Sequence, residues 1–432
     1  MAFNTHCRTR LSQRPVSGCF LIKIAQKQVL RSIFSLKGNF ARGAAPQKKV
    51  FDGIEIAPFW NACSAAVSIS ADFELNWAFR SRPAELRDDL GTTERRNVPY
   101  ILDLLNEFSV PITWATVGHL FLASCVCDEQ TAHRNMPRPP FNERWQGDWY
   151  KHDPCSDLSR DPLWYAPDLI EQVMRAKVGH EVGSHSFSHI DFSPQTSNPE
   201  LVEREMEECL AAMAPVGLKL RSLVYPFNHM GHSYHDLLHK FGIIAVRHRD
   251  DRIRLSYPER SACGVYKIYE SMNLRSANRY HYPDKAELFI DHAVEQGASY
   301  HLWFHPSDPR SVFQKEFYEI LKIIQRQREA GNVWVATMGD LASYCEAREC
   351  ISLQSKSERD QRTIQIRSSL NTEKYGIPEV TLVVPAKTLP KRVHRQIIAG
   401  SLETAPDAVC TRRNGALIMN VPAVSQTITL SF

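Results

Sequence analysis

Apolar residues fall along this chain in two alternating textures. Short, nearly unbroken apolar runs give way to longer stretches in which apolar residues recur every three or four positions. The short runs predict strands at Ala66–Ser70, Ile112–Val117, Glu181–Ser184, Ser222–Pro226, Ile243–Arg247, Tyr300–Phe304 and Val333–Thr337. The longer stretches predict helices at Thr93–Phe108, Pro167–Ala176, Pro199–Ala214, Tyr234–Phe241, Lys285–Gln296, Phe313–Ala330 and Met338–Arg348. Pro199 suits a first helical turn, with Asn198 as the cap before it. Strands that alternate with helices of this length imply parallel βαβ units. About seven repeats fit a closed or partly closed (β/α) barrel better than an open sheet.

The texture changes at the start and near the end. Residues 1–60 read as a basic, poorly ordered extension with one short helix around Gln28–Leu36. The barrel pattern covers 61–350. Beyond Glu349 the runs "QRTIQIRSS", "EVTLVVPA", "GALIMNVP" and "SQTITLSF" are short, β-branched and partly alternating, which predicts a small all-β domain over 357–432. Residues 125–165 hold no periodic pattern and are rich in Pro, Trp, Asp and Arg. A loop this long inside a compact domain is functional or disordered. Its Trp145, Trp149 and Tyr150 suit either a cover over a substrate or packing on the barrel rim.

Composition narrows the classes. Over 432 residues the net charge is only +4, which carries no general nucleic-acid signature. No apolar run reaches the length of a transmembrane helix. The first 49 residues contain Lys and Arg but no acid, as in an organellar transit peptide, a disordered extension or an overlong gene start, and the last two are preferred. Eleven cysteines, an odd number without framework spacing, favour a reducing compartment and hence the cytoplasm. The Cys125–Cys127 pair reads as incidental, since no second such pair follows it. Oligomeric state is not legible.

In a parallel α/β barrel, ligands meet the carboxyl ends of the strands. Asp72, Glu74 and Trp77 follow the first predicted strand, and Gly118 and His119 the second. His185, Ser186 and His189 follow the third, Asn228, His229 and His232 the fourth, and His305 a late one. His185 and His189 would share a face if their segment turned helically. With a carboxylate from the first strand they would make a two-histidine, one-acid set with open positions, as catalytic zinc requires. Asp72 and Glu74, two apart at a strand end, would point alike, so that one binds metal and the other acts as base. Singly, each piece is more often surface polarity or packing; together at strand ends they favour chemistry.

On these residues the sequence resembles the polysaccharide deacetylases, the NodB-homology, carbohydrate esterase type. "SISADFE" (68–74) is similar to the first family motif, "HSFSH" (185–189) to the metal-binding His-Ser/Thr-x-x-His, "YPFNHMG" (225–231) stands at the third, and "LWFHP" (302–306) at the last. Their order and spacing match over about 65–345, and "DFELNW", "TWATVGHLF" and "GHEVGSHSFSH" are similar to a branch often found with bacterial surface-polysaccharide genes. The resemblance implies a deformed (β/α) barrel of about seven strands, a divalent metal (Zn²⁺ first), and removal of acetyl groups from an N-acetylated sugar. It implies Asp72 as catalytic base, His305 as general acid, and Glu74, His185 and His189 as metal ligands. Trp77, Asn228 and Trp303 are the expected substrate contacts.

Two departures matter. The family's metal-binding acid is typically Asp beside the base, whereas Glu74 stands two past Asp72, so Asp72 remains an alternative ligand. The third motif usually offers an Arg that orients the base; here Val224, Tyr225 and Phe227 surround the Pro, and Arg221 lies well back. The leading expectation is a metal-dependent hydrolase that removes N-acetyl groups from an amino sugar of a polysaccharide or glycan precursor. The alternatives are a metal-independent hydrolase of non-peptide C–N bonds in a small cyclic amide, and a catalytically inactive carbohydrate-binding protein.

Overall fold

The first long strand shows why the interior is a parallel sheet: all nine residues of β1 (Ala65–Phe73) are buried, with no alternation of exposed positions. A strand buried on both faces needs cover on both, which crossover helices supply. The structure, a computed structural model, describes residues 40–41, 43–128, 131–140, 147–275, 282–397 and 410–432. The helix expected around Gln28–Leu36 lies outside them.

The remaining strands of this sheet are β2 (Thr113–Thr116), β3 (Glu181–Ser184), β4 (Ser222–Leu223), β5 (Ala245–His248), β6 (Tyr266–Tyr269), β7 (Met272–Leu274), β8 (Ser299–Phe304) and β9 (Val333–Val335). Their order is β6-β5-β4-β3-β2-β1-β8-β7, with β9 also paired to β1 and the short strand Glu259–Arg260 on the outer edge of β6. Apart from that short strand the pairings are parallel. β6 and β7 lie towards opposite ends of this order, yet only Glu270 and Ser271 separate them in the chain. The Glu270 amide donates to His248 O and the Ser271 amide to His301 O, each at 2.9 Å, so the sheet curls back on itself. The sheet has ten strands, against the seven or so that the sequence predicts. The three extra ones, Glu259–Arg260, β6 and β7, are short, and Lys267 and Asn273 interrupt the apolar pattern of β6 and β7.

Helices follow the strands: α1 (Ala84–Phe108), α2 (Pro167–Met174), α3 (Pro199–Met213), α4 (His235–Lys240), α5 (Tyr282–Gln296), α6 (Tyr318–Glu329) and α7 (Met338–Cys350). Asn198 caps α3 as expected, its Oδ1 accepting from the Leu201 amide at 2.9 Å. α1 begins nine residues before the expected Thr93 and contains Pro99. Val98, Ile101, Leu102, Leu105 and Phe108 form its buried stripe, and burial of that stripe outweighs the hydrogen bond Pro99 cannot make.

Past α7, β10 (Ile351–Glu358), β11 (Gln361–Ser368), β12 (Glu379–Pro385), β13 (Arg392–Ile397), β14 (Cys410–Arg413), β15 (Ala416–Pro422) and β16 (Gln426–Ser431) form two further sheets. One has the order β10-β11-β16-β13. The other runs through strands Val50–Phe51 and Ile54–Ile56 into β12, β15 and β14. Residues 50–60, read from sequence as part of a poorly ordered extension, therefore contribute two strands and the buried Ile54, Ile56 and Phe59. α7 joins the sheets to the barrel. Its Arg348 is 1% exposed and donates from Nε to the carbonyls of Ile56 and Ala57 at 3.2 Å.

The 125–165 segment is tied down where it is described. Cys127 and Cys155 form a disulfide, which Cys125 does not share. Trp149 and Tyr150 are buried: the Trp149 indole donates to Ser188 Oγ at 2.9 Å and the Tyr150 hydroxyl to Glu205 at 3.4 Å. Both residues pack rather than stand open. Trp145 lies outside the described residues. Among the described residues, no helix is long and apolar enough to cross a membrane.

Candidate metal and catalytic centre

β1 delivers Asp72 from its last turn of pleat and Glu74 just beyond it. β3 delivers His185, β5 delivers Arg247, and β8 delivers His305. Glu74 Oε1 lies 2.8 Å from His185 Nε2 and 3.0 Å from His189 Nε2, and all three side chains are buried. The loop that brings the two histidines together is not helical. Ser186 and His189 both sit at φ 58°, and the ring centroids are 5.0 Å apart. The helical turn expected at 185–189 is thus replaced by two left-handed residues. The Ile190 amide donates to Ser186 Oγ at 2.9 Å and fixes the loop. Leu75, Phe227 and Asn228, also around the centre, have positive φ too. Non-glycine residues held this way cost on the order of 1–3 kcal/mol each and gather at functional sites.

The protonation pattern tests whether a cation fits. His185 Nδ1 faces the Val224 carbonyl at 2.8 Å and must donate to it. In the neutral ring, Nε2 then carries a lone pair that points at a carboxylate oxygen 2.8 Å away. Two acceptors facing each other at that distance require a proton or a cation between them. Burial first, only partly offset by Glu74, brings the His189 pKa down to about 4, so that ring is neutral at pH 7. Burial raises Glu74, but His189, the two histidine hydrogen bonds and His305 outweigh it and hold the carboxyl well below the usual range. A deprotonated acid met by two imidazole nitrogens is the donor set of a catalytic divalent cation site.

Asp72 has a different partner. Arg247 Nη1 and Nη2 reach its two carboxylate oxygens at 2.6 and 2.8 Å, and the fork also touches Ser70 Oγ at 3.1 Å and Asn228 Oδ1 at 2.9 Å. Burial pushes the Asp72 carboxyl up, while Arg247, with His185 and His305, brings it below the ordinary value. The guanidinium lies 4.2 Å from the Trp303 ring centre. The arginine that seemed absent near the third motif is therefore supplied by β5. Its signal in the sequence was a charged residue in the apolar run "IIAVRH".

His305 closes the opposite side. Its Nε2 is 3.9 Å from both Asp72 Oδ2 and Glu74 Oε2, and its side chain is 23% exposed. Beneath the acids, the Glu94 carboxylate accepts the Glu74 amide at 2.8 Å. Burial, together with the Glu74 charge, holds Glu94 well above the usual carboxyl range. Sequence reading missed it because it sits mid-helix in α1.

The expected substrate contacts divide. Asn228 stands at the rim, but its Oδ1 is occupied by Arg247. Trp303 is 3% exposed and forms the platform under Arg247. Trp77 is corrected: it is 1% exposed, its indole donates to Trp164 O at 3.3 Å, and its ring packs 4.4 Å from that of His119. Phe227, not singled out from sequence, is 42% exposed and meets the His189 ring edge-on at 4.5 Å. His229 pairs with Asp191 at 2.6 Å, and His232 packs on His248; neither belongs to the acid–histidine cluster.

Residues 86–246 match the family model for polysaccharide deacetylases. Over residues 86–246 the chain carries a polysaccharide deacetylase domain. Such a domain makes it a hydrolase of carbon–nitrogen bonds other than peptide bonds. The match takes in both histidines of the acid–histidine cluster, whereas Asp72, Glu74, Arg247 and His305 lie outside it and are joined to it by the fold. Among solved structures, a candidate polysaccharide deacetylase from Mycobacterium smegmatis is similar over 73% of this chain and 99% of its own, at 18% identity and a TM-score of 0.48. A second, from Bordetella bronchiseptica and described as involved in O-antigen biosynthesis, is similar over 62% of this chain and 79% of its own, at 13% identity and a TM-score of 0.28. No curated protein matches the chain in sequence.

Proposed function

We propose that the chain is a metal-dependent deacetylase acting on an N-acetylated amino sugar of a polysaccharide or glycan precursor. The observation that carries this is the Glu74–His185–His189 cluster facing a separate carboxylate, Asp72, and a partly exposed imidazole, His305. Glu74, His185 and His189 would hold the cation. When bound, a divalent ion, zinc in first place, acidifies a water molecule and polarises an acyl oxygen.

The chain's own groups do the rest. Asp72 accepts the proton of the attacking water, whose oxygen adds to the acetyl carbon. Arg247 positions Asp72 and keeps it deprotonated, so it is a positioning residue. His305 gives a proton to the departing nitrogen as the C–N bond breaks, leaving acetate and a free amine. Phe227 offers an apolar edge beside the centre for a sugar ring face. The Cys127–Cys155 disulfide weighs against the reducing compartment suggested by the scattered thiols, and makes a finished glycan the first substrate to try.

The test is release of acetate, with matching appearance of primary amine, from N-acetylglucosamine oligomers incubated with the zinc-reconstituted full chain. Release that disappears in both His185→Ala and Asp72→Asn supports the reading. Release unaffected by either substitution, or none from any N-acetylated glycan tried, defeats it.

A further inference from the structure

A second group of metal-ligating side chains lies outside the catalytic centre. His119 follows β2, and Cys125, His133 and Asp153 come from the irregular segment beyond it. One donor atom from each lies within 4.8 Å of all the others. His119 Nε2 and His133 Nε2 are each 3.1 Å from Asp153 Oδ2, and Cys125 Sγ is 3.2 Å from Asp153 Oδ1. Zinc with ordinary Zn–N, Zn–O and Zn–S bonds places tetrahedral ligand atoms about 3.3–3.5 Å apart, close to these separations.

We propose that His119, Cys125, His133 and Asp153 hold a second divalent ion of the zinc class, as a closed structural site that fastens the 118–166 segment to the barrel rim.

Three observations carry this beyond proximity. The first is an unmatched atom. His119 is fully buried, and its Nδ1 faces the Trp164 carbonyl at 3.3 Å, which assigns the ring proton to Nδ1. Nε2 then presents a bare lone pair to a buried carboxylate, and it makes no hydrogen bond there. A carbonyl holding the far nitrogen of a histidine is the usual arrangement behind a metal-bound imidazole. The second is charge. Two neutral imidazoles, one carboxylate and one thiolate balance a divalent cation. The Tyr165 hydroxyl, 3.2 Å from Cys125 Sγ, is placed to donate to that thiolate. The third is completeness. Four protein donors fill a tetrahedral shell and leave no place for substrate, which separates this site in kind from the three-ligand centre.

The position gives the site a purpose. The Gly118 amide donates to Ser186 O at 2.8 Å and the His119 amide to Phe187 O at 3.0 Å. A Cβ on Gly118 would lie 3.0 Å from Phe187 Cα. The loop bearing His185 and His189 thus rests directly on the residue that would anchor the second ion.

The experiment uses the purified full chain loaded with Co²⁺. A thiolate ligand gives a thiolate-to-cobalt charge-transfer absorption in the near ultraviolet, which the Glu74–His185–His189 centre cannot produce. That absorption, present in the parent chain and in His185→Ala but lost in Cys125→Ser, supports the site whatever becomes of the proposed catalytic function. Its absence from the cobalt-loaded parent chain, or its persistence in Cys125→Ser, overturns it. A second measurement needs no variant. Alkylation of Cys125, mapped by peptide mass spectrometry, should be blocked in the zinc-loaded chain and released by a chelator; equal labelling in both states overturns the site.

Discussion

The molecule holds two clusters of histidine and acid that differ in what surrounds them. Glu74, His185 and His189 stand at the carboxyl ends of sheet strands, with the separate acid Asp72 and the partly exposed His305 beside them. His119, Cys125, His133 and Asp153 stand in a long irregular segment, with His119 fully buried and a disulfide closing the same segment. Both sets contain two imidazoles and a carboxylate, and the second adds a thiol. The difference teaches that ligand type alone does not separate chemistry from architecture: on the proposed reading, what separates them is an open position beside a base and an acid.

The comparison is sharpened first by the largest effect. His185→Ala and His189→Ala should each lose the catalytic metal and bring acetate release below detection, read by elemental mass spectrometry beside the acetate assay. Retention of that metal in both variants would end the assignment of these histidines. Next, Asp72→Asn should keep the metal and lower kcat by about 10²–10⁴-fold, the usual worth of a general base. If Asp72→Asn loses the metal while Glu74→Gln keeps it, the two acids exchange roles.

Arg247→Lys comes third. Lysine cannot reproduce the two-pronged contact with Asp72, so kcat should fall by about 10–100-fold with metal content unchanged, as for a misoriented catalytic group. An unchanged kcat would remove Arg247 from the mechanism. In the second region the readout reverses. Cys155→Ser opens a link with a sequence separation of 28 and should cost about 3.6 kcal/mol of stability by loop-closure arithmetic. Denaturant midpoints would show this, while kcat stays within a few-fold. A large loss of kcat without a loss of stability would make that segment part of the catalytic machinery. The smallest effect is expected for Phe227→Ala, a several-fold rise in KM at constant kcat, the pattern of a residue that contributes binding alone.

Much of this was legible in the sequence. The alternation of apolar runs with helical periodicity placed strands at all seven expected stretches, because a buried parallel strand must be continuously apolar. "HSFSH" and the acids after "SISA" marked four of the residues that meet at the centre, since strand ends in such a sheet point to one face. Trp77 misled because an aromatic just past a strand end reads the same whether it faces a substrate or, as here, packs against His119 and Trp164.

Sequence by itself therefore determined the parallel α/β frame, the C-terminal strands, and the pairing of two histidines with an acid. The first two follow from local periodicity, and the third from strand ends that share one face of such a sheet. Tertiary structure alone decided which acid meets the histidines and which meets an arginine, that this arginine comes from β5, and that His119, Cys125, His133 and Asp153 converge. Asp72 and Arg247 are 175 positions apart, and His119 and Asp153 are joined by a segment without periodicity. Such contacts depend on the order of strands in the sheet and on the path of an irregular loop, neither of which is set by neighbouring residues.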